Sequence, residues 1–350
     1  MLRDFVKRET EGRVSIYYID PSRNLNDVRA ELTQSIGNIL NYSSYVHKHN
    51  IQQILALHTE SNGWPLANVI GIKNHPIQNV CIISPLSNKR SGMEFATHML
   101  GRKNLPVVHE VNDFVVRFLA IAHESVHCIT ASNNKGRQWS RTFLEIIADV
   151  GAVNEALKLG VKRDHLIALA DWRALRFASA IVNVIAGRES GKEIYLSAAP
   201  SHMSTVAINR LLNADTLDTY EDIEKLAFSA TPEGLFGDKK KAELFLTKIF
   251  KLYKNNSLKK KFPNASLQDS GKILTAIGAP TEMVDAVNQS VRRYLSKLNC
   301  RKVIGVLEGN WKTRVSCRQS DGSDVMVDKS LLGFSNITHS ANNMEENSLN

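Results

Sequence analysis

Cysteine is scarce: four in 350 residues, at positions 81, 128, 300 and 317, with no C-x-x-C pair and no zinc-finger spacing. Few, widely separated cysteines predict free thiols in a reducing compartment. Cys128 sits about 100° round a helix from its neighbour His127, which predicts packing rather than ligation. No run approaches about 18 apolar residues, so no membrane span is expected. The N-terminus, Met1-Leu-Arg-Asp-Phe-Val-Lys-Arg-Glu9, lacks the roughly 7–15-residue apolar core of a Sec signal. There is no internal repeat, and no aromatic residues interleave the basic runs as they do in nucleic-acid binders.

What remains is a chain long enough to bury a substantial core, 43% hydrophobic and 23% charged, the balance of a globular protein. Its net charge of +9 is concentrated. Residues 239–302 hold 15 Lys/Arg against 4 Asp/Glu, and the rest of the chain holds 29 against 31. Lys239-Lys-Lys241, Lys259-Lys-Lys261 and Arg292-Arg293 present either a solvated helical face or a surface for nucleic acid, an anionic membrane or an acidic protein.

Periodicity divides the chain into a small mixed α/β part and a long helical part. Residues 13–20, 66–72 and 80–83 read as strands, with a turn at Asn74-His-Pro76, and 26–48 as a helix. From Asn112 the pattern turns helical. Phe114, Val115, Phe118, Leu119, Ala122 and Val126 form one apolar stripe over 112–130, and 131–136 is a break. Further helices are predicted from Ser140 or Thr142 to Leu159 with Gly160 just past the end, over 164–186, from 201 to Leu212, and over 218–230, 239–254 and 281–298. Residues 303–307, 313–317 and 324–327 read as short strands, and the tail is polar. The fold class is therefore α+β and mostly helical. An N-terminal α/β part spans 1–110, a helical core 111–235, a basic helical region 236–300, a small β appendage 301–335 and a disordered tail 336–350.

Inside the apolar stripe stands His123-Glu124-Ser125-Val126-His127, the form H-E-x-x-H. Residues four apart share a helix face, so both imidazoles can point at one metal ion while Glu124 reaches a water on it. This composition would produce the pattern by chance about 0.02 times. Eighteen residues past His127, Glu145-Ile-Ile-Ala-Asp149 offers two more carboxylates on one face of the next helix. Glu145 is the candidate third ligand, and Asp149 the acceptor for the outer nitrogen of His123. Other readings stand beside these. The histidines can be buried and hydrogen-bonded, Thr142-x-x-Glu145 is also a capping box, and Asp149 can be a surface acid.

This pair of motifs resembles the gluzincin metallopeptidases, which carry H-E-x-x-H on one helix and E-x-x-x-D on the next. E-x-x-A-D is similar to the membrane-linked CAAX-protease form in particular. The resemblance covers about 110–160. It implies a zincin-like core, one Zn2+ per chain held by His123, His127 and Glu145, and Glu124 as general base in peptide-bond hydrolysis. A metzincin would need glycine and histidine where Thr130 and Asn133 stand. Gluzincins also carry a His, Tyr or Arg for the oxyanion. Pro200-Ser-His-Met-Ser-Thr-Val-Ala-Ile-Asn-Arg210 is similar to their S-H-P-x…R segment, with Met203 at the proline position and the arginine two places later. It nominates His202 as catalytic, with Arg210 and Tyr195 as further oxyanion or substrate residues. His165 reads as structural. In such enzymes the substrate lies along an edge strand, and Val80–Ile83 is the nearest strand upstream.

The expected function is a zinc endopeptidase acting on a protein or peptide substrate, an acidic one if the basic region binds it. It would work in a cytosol: its own, or, as an effector exported without a Sec signal, that of a host. The alternative is a non-catalytic zincin-fold protein that binds nucleic acid or an acidic partner through its basic helices.

Overall fold

Val80, Cys81, Ile82 and Ile83 are all fully buried, so the strand they form must be covered on both faces and both edges. The computed structural model describes residues 2–19, 23–37, 52, 56, 63–71, 77–100, 105–133, 139–188, 203–302 and 314–332. It is mostly helical with small sheets. The first sheet holds β1 (Val14–Tyr18), β2 (Leu66–Gly71) and β3 (Asn79–Ser84) in the order β1-β3-β2. β1 runs parallel to β3, Val14 opposite Asn79, and β2 runs antiparallel to it, Leu66 opposite Ser84. β3 is thus the central strand, not an edge. Among the described residues β1 and β2 are the edge strands, and β2 is the one more closely packed on the helix that follows at 113–133.

Helix α1 (Leu2–Glu9) precedes the sheet, and α2 (Leu25–Gly37) covers one face, packing Val28 and Leu32 on Ile19, Val80 and Ile82. Residues 38–48, the turn at 74–76, the strand expected at 303–307 and the tail from 336 lie outside the described residues. After α3 (Gly92–Leu100), α4 (Asp113–Asn133) covers the other face of the sheet. Its length and mean hydropathy of 1.3 would suffice for a membrane crossing, which inspection of apolar runs missed. Here that apolarity is spent inside the fold: Val115, Val116, Phe118, Leu119, Ala122, Val126 and Ile129 are buried. Burying such side chains stabilises by about 1.5–3 kcal/mol each relative to leaving them exposed. Phe114, counted in the apolar stripe, is 70% exposed.

The next helices are α5 (Arg141–Lys158) and α6 (Arg163–Ile185). The Ser140 hydroxyl caps α5 by accepting from the Phe143 N–H at 3.2 Å, so the Thr142–Glu145 capping box is not used and Glu145 is free to face inward. Gly160 takes a left-handed φ of +76° and ends the helix. Beyond them run α7 (Thr205–Leu212), α8 (Tyr220–Ser229), α9 (Pro232–Phe236), α10 (Lys239–Phe250), α11 (Asn256–Lys261), α12 (Ser270–Ala276) and α13 (Thr281–Lys297). An antiparallel sheet follows, β4 (Asn299–Lys302), β5 (Arg314–Arg318) and β6 (Asp324–Asp328), then α14 (Lys329–Leu332). This sheet is not a separate lobe. Val315, Cys317 and Val327 belong to the same core cluster as Phe5 and the α4–α6 interior, and Ser320 N–H donates to the Val107 carbonyl at 2.8 Å.

Two expectations fail here. The cysteines are not free: Cys81 of β3 is bonded to Cys128 of α4, and Cys300 to Cys317 across the β4–β5 pair. Separation along the chain says nothing of pairing once a helix lies on a strand, and the inference of a reducing compartment loses its premise. Arg293, counted with the basic runs, is not part of a solvated face alone. It forks onto fully buried Asp171 of α6, Nη2 to Oδ1 at 2.5 Å and Nε to Oδ2 at 3.1 Å, and so holds α13 to α6.

The α4–α5 approach depends on Gly151. A Cβ there would meet Val126 Cγ2 at 2.5 Å. Gly151→Ala is expected to destabilise by about 1–3 kcal/mol in a denaturant melt, as overpacking does, and Val126→Ala in the same background should recover part of the loss.

Candidate metal centre and cleft

His123 and His127 lie one turn apart on α4, their rings edge to face with centroids 4.7 Å apart. Their Nε2 atoms converge to 3.1 Å. α5 brings Glu145 Oε2 to 3.6 Å from His123 Nε2. The three ligand atoms of His123, His127 and Glu145 lie within 4.8 Å of one another, and these residues could hold a metal ion.

The donor chemistry fits a cation. His123 Nδ1 stands 2.9 Å from Asp149 Oδ1. An ionised carboxylate only accepts, so Nδ1 carries a proton and Nε2 is the ring atom turned to the cluster, where a cation would replace any proton. Zinc bonds of about 2.0–2.1 Å set tetrahedral ligand atoms roughly 3.4 Å apart, and the distances of 3.1 and 3.6 Å bracket that value.

Titration follows the same layout. Burial opposes charge on His123, but the hydrogen bond and charge of Asp149 outweigh it and raise its pKa. Burial, then the nearby charge of His123, lowers His127 to about 3, so its imidazole is neutral. Burial raises Glu124, whose carboxylate accepts the Ala67 N–H of β2. Asp149 is buried too, yet Arg173 and His123 hold it well below the usual carboxylate range.

Arg173 of α6 was not anticipated. Its Nη2 donates to Asp149 Oδ1 at 2.7 Å and its Nε lies 2.7 Å from Oδ2, while Ser204 at the start of α7 donates its hydroxyl to Oδ2 at 2.6 Å. The available signal was a guanidinium in the apolar middle of a helix rich in Leu, Ala and Ile, because an arginine buried there needs a carboxylate. The structure does not bring Arg210 to the cluster. It forks onto Glu282 at 2.5 and 2.6 Å and donates to Ser229, and it does not line the cleft. His202 and Tyr195 lie outside the described residues. Thr130 and Asn133 serve packing: the Thr130 hydroxyl accepts from Tyr220 at 2.8 Å, and Asn133 donates to the Glu9 carbonyl.

The cluster opens on a cleft of about 330 Å³, whose walls include Trp64, His98, Arg141 and Arg176. Trp64 stacks on His98 with centroids 4.2 Å apart. A larger hollow of about 670 Å³ beside Glu9, Trp139 and Tyr220 contains none of these residues and is not the site of this chemistry. Comparison of the chain with protein families, with characterised proteins and with solved structures returns no match.

Asp149→Asn leaves the volume unchanged and removes the charge that fixes His123. Zinc affinity, measured by competition with a chromogenic chelator, is expected to fall about 10–100-fold; unchanged affinity would show that the His123–Asp149 contact does not tune a metal site.

Proposed function

We propose that the protein is a zinc-dependent endopeptidase of gluzincin type, built on a zincin-like core and acting on a protein or peptide substrate. One observation carries this reading: His123, His127 and Glu145 converge, and Glu124, the residue after His123 on α4, lines the same cleft as His123 and Glu145. A half-buried carboxylate beside residues that could hold a cation stands where a general base would have to stand.

When bound, zinc supplies a Lewis acid and an acidified water. The rest is work for side chains. Glu124 takes a proton from the attacking water and returns it to the leaving amine. The substrate backbone lies along β2, adding a strand to its free edge, which aligns the scissile carbonyl with Glu124. Asp149, clamped by Arg173 and Ser204, keeps the His123 ring in one orientation and one tautomer. The oxyanion role is assigned to His202, from the resemblance alone.

Glu124→Gln is expected to retain zinc and lose roughly 10²–10⁴-fold in turnover, the usual scale of a positioned base. The measurement is a comparison of new peptide N-termini in a lysate treated with wild type and with the variant, alongside zinc content. A variant that cuts like wild type would sink the assignment. Removing metal with a chelator should abolish cleavage and lower the melting temperature, since a metal that binds only the folded chain stabilises it.

A further inference from the structure

The cleft holds more cationic groups than the metal cluster uses. Arg141, Arg173 and Arg176 line it against Glu124, Glu145 and Asp149. Three guanidiniums balance three carboxylates, and a bound divalent ion leaves the cleft positive by two charges. Their employment differs. Arg173 is spent on Asp149. Arg176, one turn further along α6, is half-buried, donates Nη1 to the His98 carbonyl at 2.9 Å and pairs with no carboxylate among the described residues. Burial, then the charge of Arg173, lowers it to about 10, so two guanidiniums sit close enough to repel. Arg141 is exposed, also pairs with no carboxylate among the described residues, and occupies the first position of α5. That end of a helix carries positive charge from its dipole, where an acid is usual and a cation is disfavoured. His98, on the same wall, registers the field: burial, then the charges of Arg176, Arg173 and Arg90, lower its pKa to about 4.

We propose that Arg141 and Arg176 form an anion subsite beside the His123–His127–Glu145 cluster, and that it receives a carboxylate of the peptide substrate, from an Asp or Glu side chain near the scissile bond. Arg176, half-buried beside Arg173, is relieved of like-charge repulsion when a carboxylate enters, Arg141 supplies a second, exposed guanidinium on the same cleft wall, and the guanidinium fork matches the two carboxylate oxygens. The discrimination is against the isosteric amide. Asn or Gln fills the same volume but leaves both arginines uncompensated. The subsite deepens the peptidase reading and rests on it for the identity of the ligand.

The test is equilibrium binding to full-length, zinc-loaded Glu124→Gln protein, so that nothing is turned over. The probes are fluorescently labelled hexapeptide pools with uncharged randomised flanks, blocked at both ends, carrying either Glu or Gln at one fixed position. A third pool carries Gln with a free C-terminal carboxylate. The Glu pool is expected to bind at least about tenfold more tightly than the blocked Gln pool. That preference should fall below about twofold in Arg176→Gln and in Arg141→Gln, each made in the Glu124→Gln background, with zinc content and circular dichroism unchanged. If the free-acid Gln pool matches the Glu pool and loses its advantage in the same variants, the subsite stands and its carboxylate is the chain terminus. Equal binding of all pools, or a preference that survives both substitutions, overturns the subsite. Arg141 is exposed, so its variant reads the outcome even if Arg176→Gln fails to fold. Selective binding with no pool cleaved by wild type would remove the peptidase reading and leave the anion subsite. Cleavage indifferent to the fixed residue would do the reverse.

Discussion

A fully buried carboxylate, Asp149, is the joint on which the centre of this protein turns. Taking an ion out of water costs several kcal/mol unless partners surround it, and here they come from three directions: the His123 ring on α4, the Arg173 fork on α6 and the Ser204 hydroxyl before α7. Each bond has a direction as well as a strength, so the carboxylate sets the rotation of every helix it touches. Arg173 has a counterpart two residues earlier. Asp171 lies on the opposite side of α6, about 200° round, and receives Arg293 from α13. The long helix is thus pinned on one side by its cation and on the other by its anion. A slip of one residue would strand two buried charges.

Around His127 the restraints differ in kind but agree in effect. Gly151 lets α5 approach Val126 so closely that no side chain fits between them. The residue after His127 is bonded covalently to the central strand through Cys81. One turn back, the Asp149 network fixes the other imidazole. Close packing, a covalent link and charge-assisted hydrogen bonds therefore meet within a turn or so of α4. Residues held this way keep one geometry, and a cation that they could hold would find them already arranged. The cluster lies on α4 where that helix packs on the sheet, so residues that could hold a cation and the Glu124 carboxylate share one cleft.

Much of this was legible because helical and strand spacing fix which side chains share a face. The four-residue intervals His123–His127 and Glu145–Asp149 needed only a helix and a return to bring them together, and the boundaries of α4 to α6 fall within a few residues of those expected. The rest depended on pairings that spacing does not encode. Ser140 and Thr142 can each cap a helix over similar residues, and only the observed bond to Phe143 chooses between them. Arg210 looked available because Glu282, its partner, lies 72 residues away. Cys81 and Cys128 looked isolated for the same reason. The rank of β3 in its sheet was readable and was missed: Val-Cys-Ile-Ile has no polar face, which marks a strand covered on both sides.

The stacking of Trp64 on His98 has a practical side. The chain contains four tryptophans, and this indole stands in the cleft wall between an uncharged imidazole and the Arg90 guanidinium, 5.0 Å from its ring centre. Indole emission responds to the charges and water beside it. Trp139 lies at the other hollow, Trp172 is buried in α6 and Trp311 is outside the described residues, so among the described tryptophans Trp64 is the one that lines this cleft. The molecule therefore carries its own optical gauge: occupancy of the cleft can be followed by light emitted from its wall, with no label attached.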